Sequence, residues 1–205
     1  MYRPRAFAVD DAGVLRAFVG ERAFATVALA IEGRIHFAYT PVVLDGGGLG
    51  RICFHLAKAN PVCAAADGQV LQFSFLGDDA YISPDWYASK GRVPTWNYTA
   101  VEAAGVARKL SRDELHQLLV DLSADQETRL LPKEPWRIDK VEPAKLASLL
   151  EAIEGFEVAL DKLEGKFKLS QNVGAADMAG VIDALEKHGD EAGRRIAKAM
   201  KRASS

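Results

Sequence analysis

Two residues, Glu32-Gly33, separate the apolar run Phe24 to Ile31 (FATVALAI) from the alternating run Arg34 to Tyr39. So short a connection forces its flanks to pair antiparallel, and the two runs read as a β-hairpin. Val42 to Leu44 extends the second run as far as Asp45-Gly46-Gly47-Gly48, a flexible turn, and Leu49 to Leu56 follows as a third strand. A short alanine-rich helical piece from Asn60 to about Ala66 leads to Asp67-Gly68, after which Gln69 to Leu76 (QVLQFSFL) alternates as another strand. Tyr98 to Leu110 reads as a long strand, broken or bent at Gly105. Phe156 to Leu163 reads as one more, with a turn at Glu164-Gly165 into Lys166 to Leu169. Six or so strands joined by short turns or short helices predict a mainly β fold, a largely antiparallel, Greek-key-like barrel with peripheral helices.

The helices announce themselves separately. Val14, Leu15, Phe18 and Val19 recur at helical spacing after Asp10-Asp11. Ser111 and Glu114 form a capping-box pattern ahead of Leu115, Leu118, Leu119 and Leu122. Pro143 to Ile153 is a second amphipathic stretch, and the end of the chain predicts helices over about Ala175 to His188 and Asp190 to Arg202. The expected organisation is a barrel domain with inserted helices over 1–172 and a helical extension over 173–205.

With 205 residues, 49% of them apolar, the chain can build a real core. No apolar run approaches the ~20 residues that a membrane span needs, and the opening MYRPRAFAVDD lacks the apolar centre of a secretory signal. Cys53 and Cys63 form no close metal or redox motif and suit a reducing compartment. The expectation is a soluble, cytoplasmic protein. A net charge of −2 advertises no general affinity for polyanions.

The stretch Ala80 to Ala100 holds Trp86, Trp96, Tyr81, Tyr87 and Tyr98. So many rings imply packing against a core, a second subunit or a flat ligand. Signatures for phosphate loops, zinc, paired CxxC and the nucleophile elbow are absent, and no catalytic residue is assigned. His36, His116 and His188 have no metal-ligand spacing, and no metal is expected. His55 and Lys58 stand where a strand hands over to a helix beginning near Asn60-Pro61. They fit a phosphate monoester, or else a strand edge and a solvated lysine. Lys168, Gln171 and Asn172 suit either a ligand-facing strand edge or a lysine-protected one. Arg194, Arg195, Lys198, Lys201 and Arg202 cluster near the end of the chain. They leave DNA open as a partner, although no base-reading motif accompanies them.

In order along the chain, MYRP, GRICFHLAKANP (Gly50–Pro61), AYISPDWY (Ala80–Tyr87), VPTWNY (Val93–Tyr98), GFEVALDKLEGKFKLSQN (Gly155–Asn172) and GVIDAL (Gly180–Leu185) resemble the PaiB-type, FMN-binding negative transcriptional regulators of bacteria. The resemblance spans nearly the whole chain. It implies an FMN-binding split barrel like that of pyridoxamine-phosphate oxidase, a homodimer with FMN at the subunit interface, and a repressor's role. The alternative function in that class is a flavin-dependent oxidoreductase acting on a small molecule. By the resemblance, His55, Lys58 and Asn60 face the FMN phosphate, with Lys58 where the family usually has Arg. Thr40 lies on a flavin-lining strand, with Tyr39 where the family usually has His. Trp96, Asn97 and Tyr98, and Lys168, Gln171 and Asn172, approach the flavin or the subunit interface.

Overall fold

The computed structural model describes residues 1–203. Its elements in chain order are a 3₁₀ turn (Arg5–Phe7), β1 (Ala8–Val9), α1 (Ala12–Arg22), β2 (Phe24–Ile31), β3 (Arg34–Asp45), β4 (Arg51–Ala57), α2 (Pro61–Ala65), β5 (Val70–Ile82), a 3₁₀ turn (Pro84–Trp86), β6 (Thr95–Lys109), α3 (Arg112–Thr128), a 3₁₀ turn (Ile138–Lys140), α4 (Pro143–Glu151), β7 (Ile153–Lys168), α5 (Ala175–His188) and α6 (Glu191–Ala203). The strand order is β1-β7-β4-β3-β2-β5-β6, and an additional β7–β6 pairing closes the last six into a barrel. The chain divides into two compact units. One comprises Ala12–Phe75 and Glu102–Leu163, and the other Met1–Asp11, Leu76–Val101 and the chain from Glu164 onward.

In the first unit β2 and β3 pair antiparallel from Phe24 opposite Pro41 to Ile31 opposite Arg34. Glu32 and Gly33 both take positive φ, +51° and +77°, which matches the twist of a two-residue hairpin. The β2 bounds coincide with those read from the apolar run. β3 continues without interruption from Arg34 to Asp45. Alternation sends Val27, Phe54, Phe73, Phe156 and Val158 inward, all at most 1% exposed. There Phe54 meets Phe73 edge-on and stacks on Phe156, each at 5.5 Å, a geometry that adds to simple area burial.

Contrary to expectation, β6 runs unbroken through Gly105. The glycine serves close approach: a Cβ there would lie 2.1 Å from the Ala159 carbonyl oxygen and 2.9 Å from Val158 Cγ1. Over the outer face, Leu115, Leu118 and Leu122 of α3 and Leu150 of α4 pack with Leu110, Val43 and Cys53. The capping box is complete. Ser111 Oγ accepts from Glu114 N at 3.2 Å, and Glu114 Oε2 accepts from Ser111 N at 2.7 Å.

The second unit corrects another expectation. Glu164-Gly165 is no turn, and β7 runs straight to Lys168. β1 supplies the partner, Ala8 pairing with Lys166 and Val9 with Gly165, and backbone pairing overrides glycine's preference for turns. Ala80 and Ile82 at the end of β5 and Leu169 after β7 form a core with Val181 and Leu185 of α5 and Ile196 and Met200 of α6. Trp86 and Tyr87 pack against that core, and α5 comes so near the 3₁₀ turn that a Cβ on Gly180 would sit 2.3 Å from the Trp86 carbonyl oxygen. Asp177 of α5 is buried and accepts from Ser89 N at 2.8 Å, from Ser89 Oγ at 2.7 Å and from the Arg92 guanidinium, fastening the loop ahead of β6. Those donors hold its carboxyl below the usual range.

Candidate functional site

The ten candidate residues fall into two sets, one in each unit, and the sets differ in what the chain does with their polar atoms. In the first unit, Thr40 is buried, and its hydroxyl donates to the His55 carbonyl oxygen at 2.9 Å. This bond fixes the end of β4, where His55 lies opposite Gly155 of β7. The His55 ring is half-buried, and its Nδ1 is enclosed without a hydrogen-bond partner among the described residues. Loss of hydration pushes the imidazole pKa down, so the ring is held neutral near pH 7.

Three residues on, Lys58 is exposed and its Nζ lies 3.4 Å from Glu154, which Lys109 meets more closely at 2.6 Å. Two ammonium groups thus share one carboxylate, and Glu154 is drawn below its ordinary range, first by Lys109. Asn60 Oδ1 accepts from Val62 N at 2.9 Å and caps α2, a helix of only five residues.

In the second unit, Trp96 and Asn97 point opposite ways, as neighbours on a strand must. Trp96 is 53% exposed and meets Tyr81 edge-on at 6.0 Å. Asn97 is fully buried: its Nδ2 donates to Ser170 Oγ at 2.9 Å and contacts Met200 Sδ at 3.5 Å, and its Oδ1 accepts from Ser170 Oγ at 3.2 Å. Ser170 takes a positive φ of +64°. Tyr98 lies under the Lys166 ammonium at 5.3 Å, with Tyr2 on the same cation at 5.5 Å.

Lys168 Nζ donates to the Trp96 carbonyl oxygen at 2.7 Å and to Thr95 Oγ1. Burial, and then the charge of Lys166, push its pKa down. Gln171 folds back on its own backbone, accepting from Leu169 N at 2.7 Å and donating to Phe167 O at 2.6 Å. Asn172 is exposed.

The structure therefore brings Thr40 to His55, Lys168 to Trp96, and Asn97 to Ser170. Sequence reasoning placed Tyr81 in the aromatic stretch with Trp96 but missed Glu154, Lys109, Ser170 and Met200. Ser170 and Met200 are linked to Asn97 only by folding.

One surface hollow of the first unit is separate from all of these residues. It is lined in part by Asp45, Arg51, Cys53, Glu114 and Glu157. Arg51 spans Asp45 at 2.5 Å and Glu157 at 3.1 Å, and burial pushes the Cys53 thiol up to about 11, leaving it unreactive. Among the described residues no group of His, Cys, Asp and Glu could hold a metal ion.

The family described as "Putative FMN-binding domain" matches residues 1–162. The chain belongs to this family. Its cofactor is FMN, and the resemblance to the PaiB-type proteins holds. Protease synthase and sporulation protein PAI 2 of Bacillus subtilis (strain 168) is 32% identical over 207 residues, covering 98% of this chain and 96% of that protein. An uncharacterised protein of Emericella nidulans is 28% identical over 242 residues with the same coverage of each, 98% and 96%. Among solved structures, the FAD and heme binding protein from Mycobacterium smegmatis superposes with a TM-score of 0.57 at 16% identity, covering 78% of this chain and 73% of that one. The flavocytochrome Anf3 from Azotobacter vinelandii gives 0.56 at 20%, covering 82% and 72%. Both likenesses show the fold, a split barrel.

Proposed function

We propose that this FMN-binding, PaiB-like protein is a homodimeric, cytoplasmic negative regulator of transcription, with FMN at the subunit interface. His55, Lys58 and Asn60 hold the phosphate, and Thr40 supports that segment through His55. Trp96 and Tyr98, with Lys168, Gln171 and Asn172, line the flavin or the interface, and Asn97 fixes the strand beneath them. The flavin-binding domain is taken as 1–172 and the helical extension as 173–205, of which 204 and 205 lie outside the described residues.

The observation that carries the site is His55 Nδ1. An enclosed ring nitrogen without a partner costs free energy unless a ligand completes it. It stands three residues from an exposed ammonium at the end of the same strand. A neutral imidazole can donate one hydrogen bond to a phosphate oxygen, and Lys58 supplies the charge as a point cation without arginine's fork. The dimer is supported by the outward face of the β2–β3 hairpin, where Phe24, Ile35, Phe37 and Tyr39 are each 57–67% exposed. Large apolar side chains so gathered on a sheet face mark an interaction surface. The free thiols of Cys53 and Cys63 fit a reducing compartment, and no helix among the described residues is long and apolar enough to cross a membrane.

Four measurements test the reading. Flavin released from the purified protein is identified by mass as FMN, and riboflavin or FAD in its place overturns the phosphate site. Lys58→Ala weakens FMN by about tenfold, the order of a charge-assisted hydrogen bond, and leaves riboflavin unchanged. Equal losses for both ligands remove Lys58 from the phosphate. A Phe37→Asp variant sediments as a monomer, and an unchanged dimer moves the interface elsewhere. Steady NADH or NADPH consumption by the FMN-loaded protein would replace the regulator reading with an oxidoreductase.

A further inference from the structure

The apolar side of α6 is occupied. Gly193, Ile196, Ala197 and Met200 are buried, packed in the core that includes Ile82, Leu169 and Leu185. The helix is strongly amphipathic, yet its apolar face is used inside the protein and is not free to enter a lipid surface.

Its outward side carries five cations, and the structure divides them into two groups. Arg195 donates to Asp78 at 2.8 Å and pairs with Glu191, and Lys201 pairs with Glu186 at 2.5 Å. Arg194, Lys198 and Arg202 are all exposed, and their side chains make no ion pair or hydrogen bond among the described residues. They stand four residues apart, so they form one row down the helix, about 12 Å long at ~1.5 Å per residue. Like charges at that spacing repel. Arg194 also lies near the N-terminus of α6, where the positive end of the helix disfavours a cation. Arg195 beside it is compensated twice over, whereas Arg194 is not. A row of uncompensated cations on a rigid helix, held at some cost to the free protein, complements a linear polyanion.

We infer that Arg194, Lys198 and Arg202 dock on the phosphate backbone of duplex DNA. A duplex presents about one phosphate charge per 1.7 Å of axis, so a straight row of this length meets several. α6 contains no aromatic residue, which disfavours single strands, whose binding relies on base stacking. It contains no Asn or Gln to read adenine edges, and the contact positions the protein without selecting sequence. The inference rests on the regulator reading above and supplies its contact surface.

The test is a salt titration of duplex DNA binding by the full, FMN-loaded chain. The triple variant R194Q/K198Q/R202Q is expected to lose at least tenfold in affinity at 100 mM salt. Its slope of log K against log[salt] falls by about 2 to 3, the value for three lost phosphate contacts at ~0.9 each. The R195Q/K201Q variant, which removes the paired cations, keeps its slope to within about one. Flavin content serves as the folding control and is unchanged in both. An unaltered slope in the triple variant, no binding of duplex DNA by the unmodified protein, or tighter binding of single-stranded RNA overturns the inference. Transcript levels in cells lacking the protein judge the regulator reading separately. Transcripts that do not change, beside a slope that does, leave the stripe standing and remove the regulator.

Discussion

The His55–Asn60 segment and the Trp96–Tyr98 segment both carry family motifs, and the chain treats their polar groups in opposite ways. At the first, an imidazole nitrogen is enclosed without a partner and an ammonium is left at the surface with half a share of one carboxylate. At the second, the Asn97 amide and the Ser170 hydroxyl satisfy each other in the interior, Gln171 satisfies its own turn, and only the Trp96 ring reaches out. A motif residue can therefore serve the ligand or serve the frame that presents the ligand's neighbours. Hydrogen-bond accounting separates the two cases where motif identity cannot.

The sharpest attack on that contrast is Asn97→Ala. Removing a fully buried amide strands the Ser170 hydroxyl, and urea unfolding should show a loss of about 1–3 kcal/mol. A loss under ~0.5 kcal/mol, with flavin binding abolished, would move Asn97 to the ligand side. A smaller effect of about 1 kcal/mol is expected for Ser111→Ala, which removes a helix cap outside both segments and calibrates the scale.

His55 yields an effect of pH. Its folded pKa is depressed, so between that value and the ordinary 6.5 the unfolded chain binds more protons than the folded one. Stability of the FMN-free protein is then full above about pH 6.5 and declines as pH falls through the window below it. His55→Gln flattens that part of the melting profile, and an unflattened profile assigns the titration to another group. The smallest change belongs to Lys58→Ala, whose surface ion pair is worth at most about 1 kcal/mol. Melting temperature should barely move while FMN affinity drops. A large thermal loss without FMN would make Lys58 part of the frame.

Local chemistry made much of the fold legible. The eight-residue run and Glu32-Gly33 defined β2, its turn and the start of β3, and Ser111 with Glu114 located the start of α3, because each of these signals is complete within a few neighbours. Gly105 and Gly165 misled for the converse reason. Whether a glycine bends a strand or lets another backbone approach depends on a partner more than fifty residues away, Ala159 for Gly105 and Val9 for Gly165. The candidate site shows the same limit. The residue types around His55 and Lys58 were readable as phosphate chemistry, but the carboxylate facing Lys58 comes from β7, and the partners of Asn97 come from the bend after β7 and from α6.

The Asn97 amide also bears on the last helix. It draws together positions 97, 170 and 200, the last on a helix beyond the residues that the family description covers. Asn97 and Ser170 cannot change singly without leaving an unmet polar atom in the interior, whereas a change at Met200 leaves the Asn97–Ser170 pair in place. The last helix therefore covers this pair and shields it from water, and its removal would expose the amide without orphaning it.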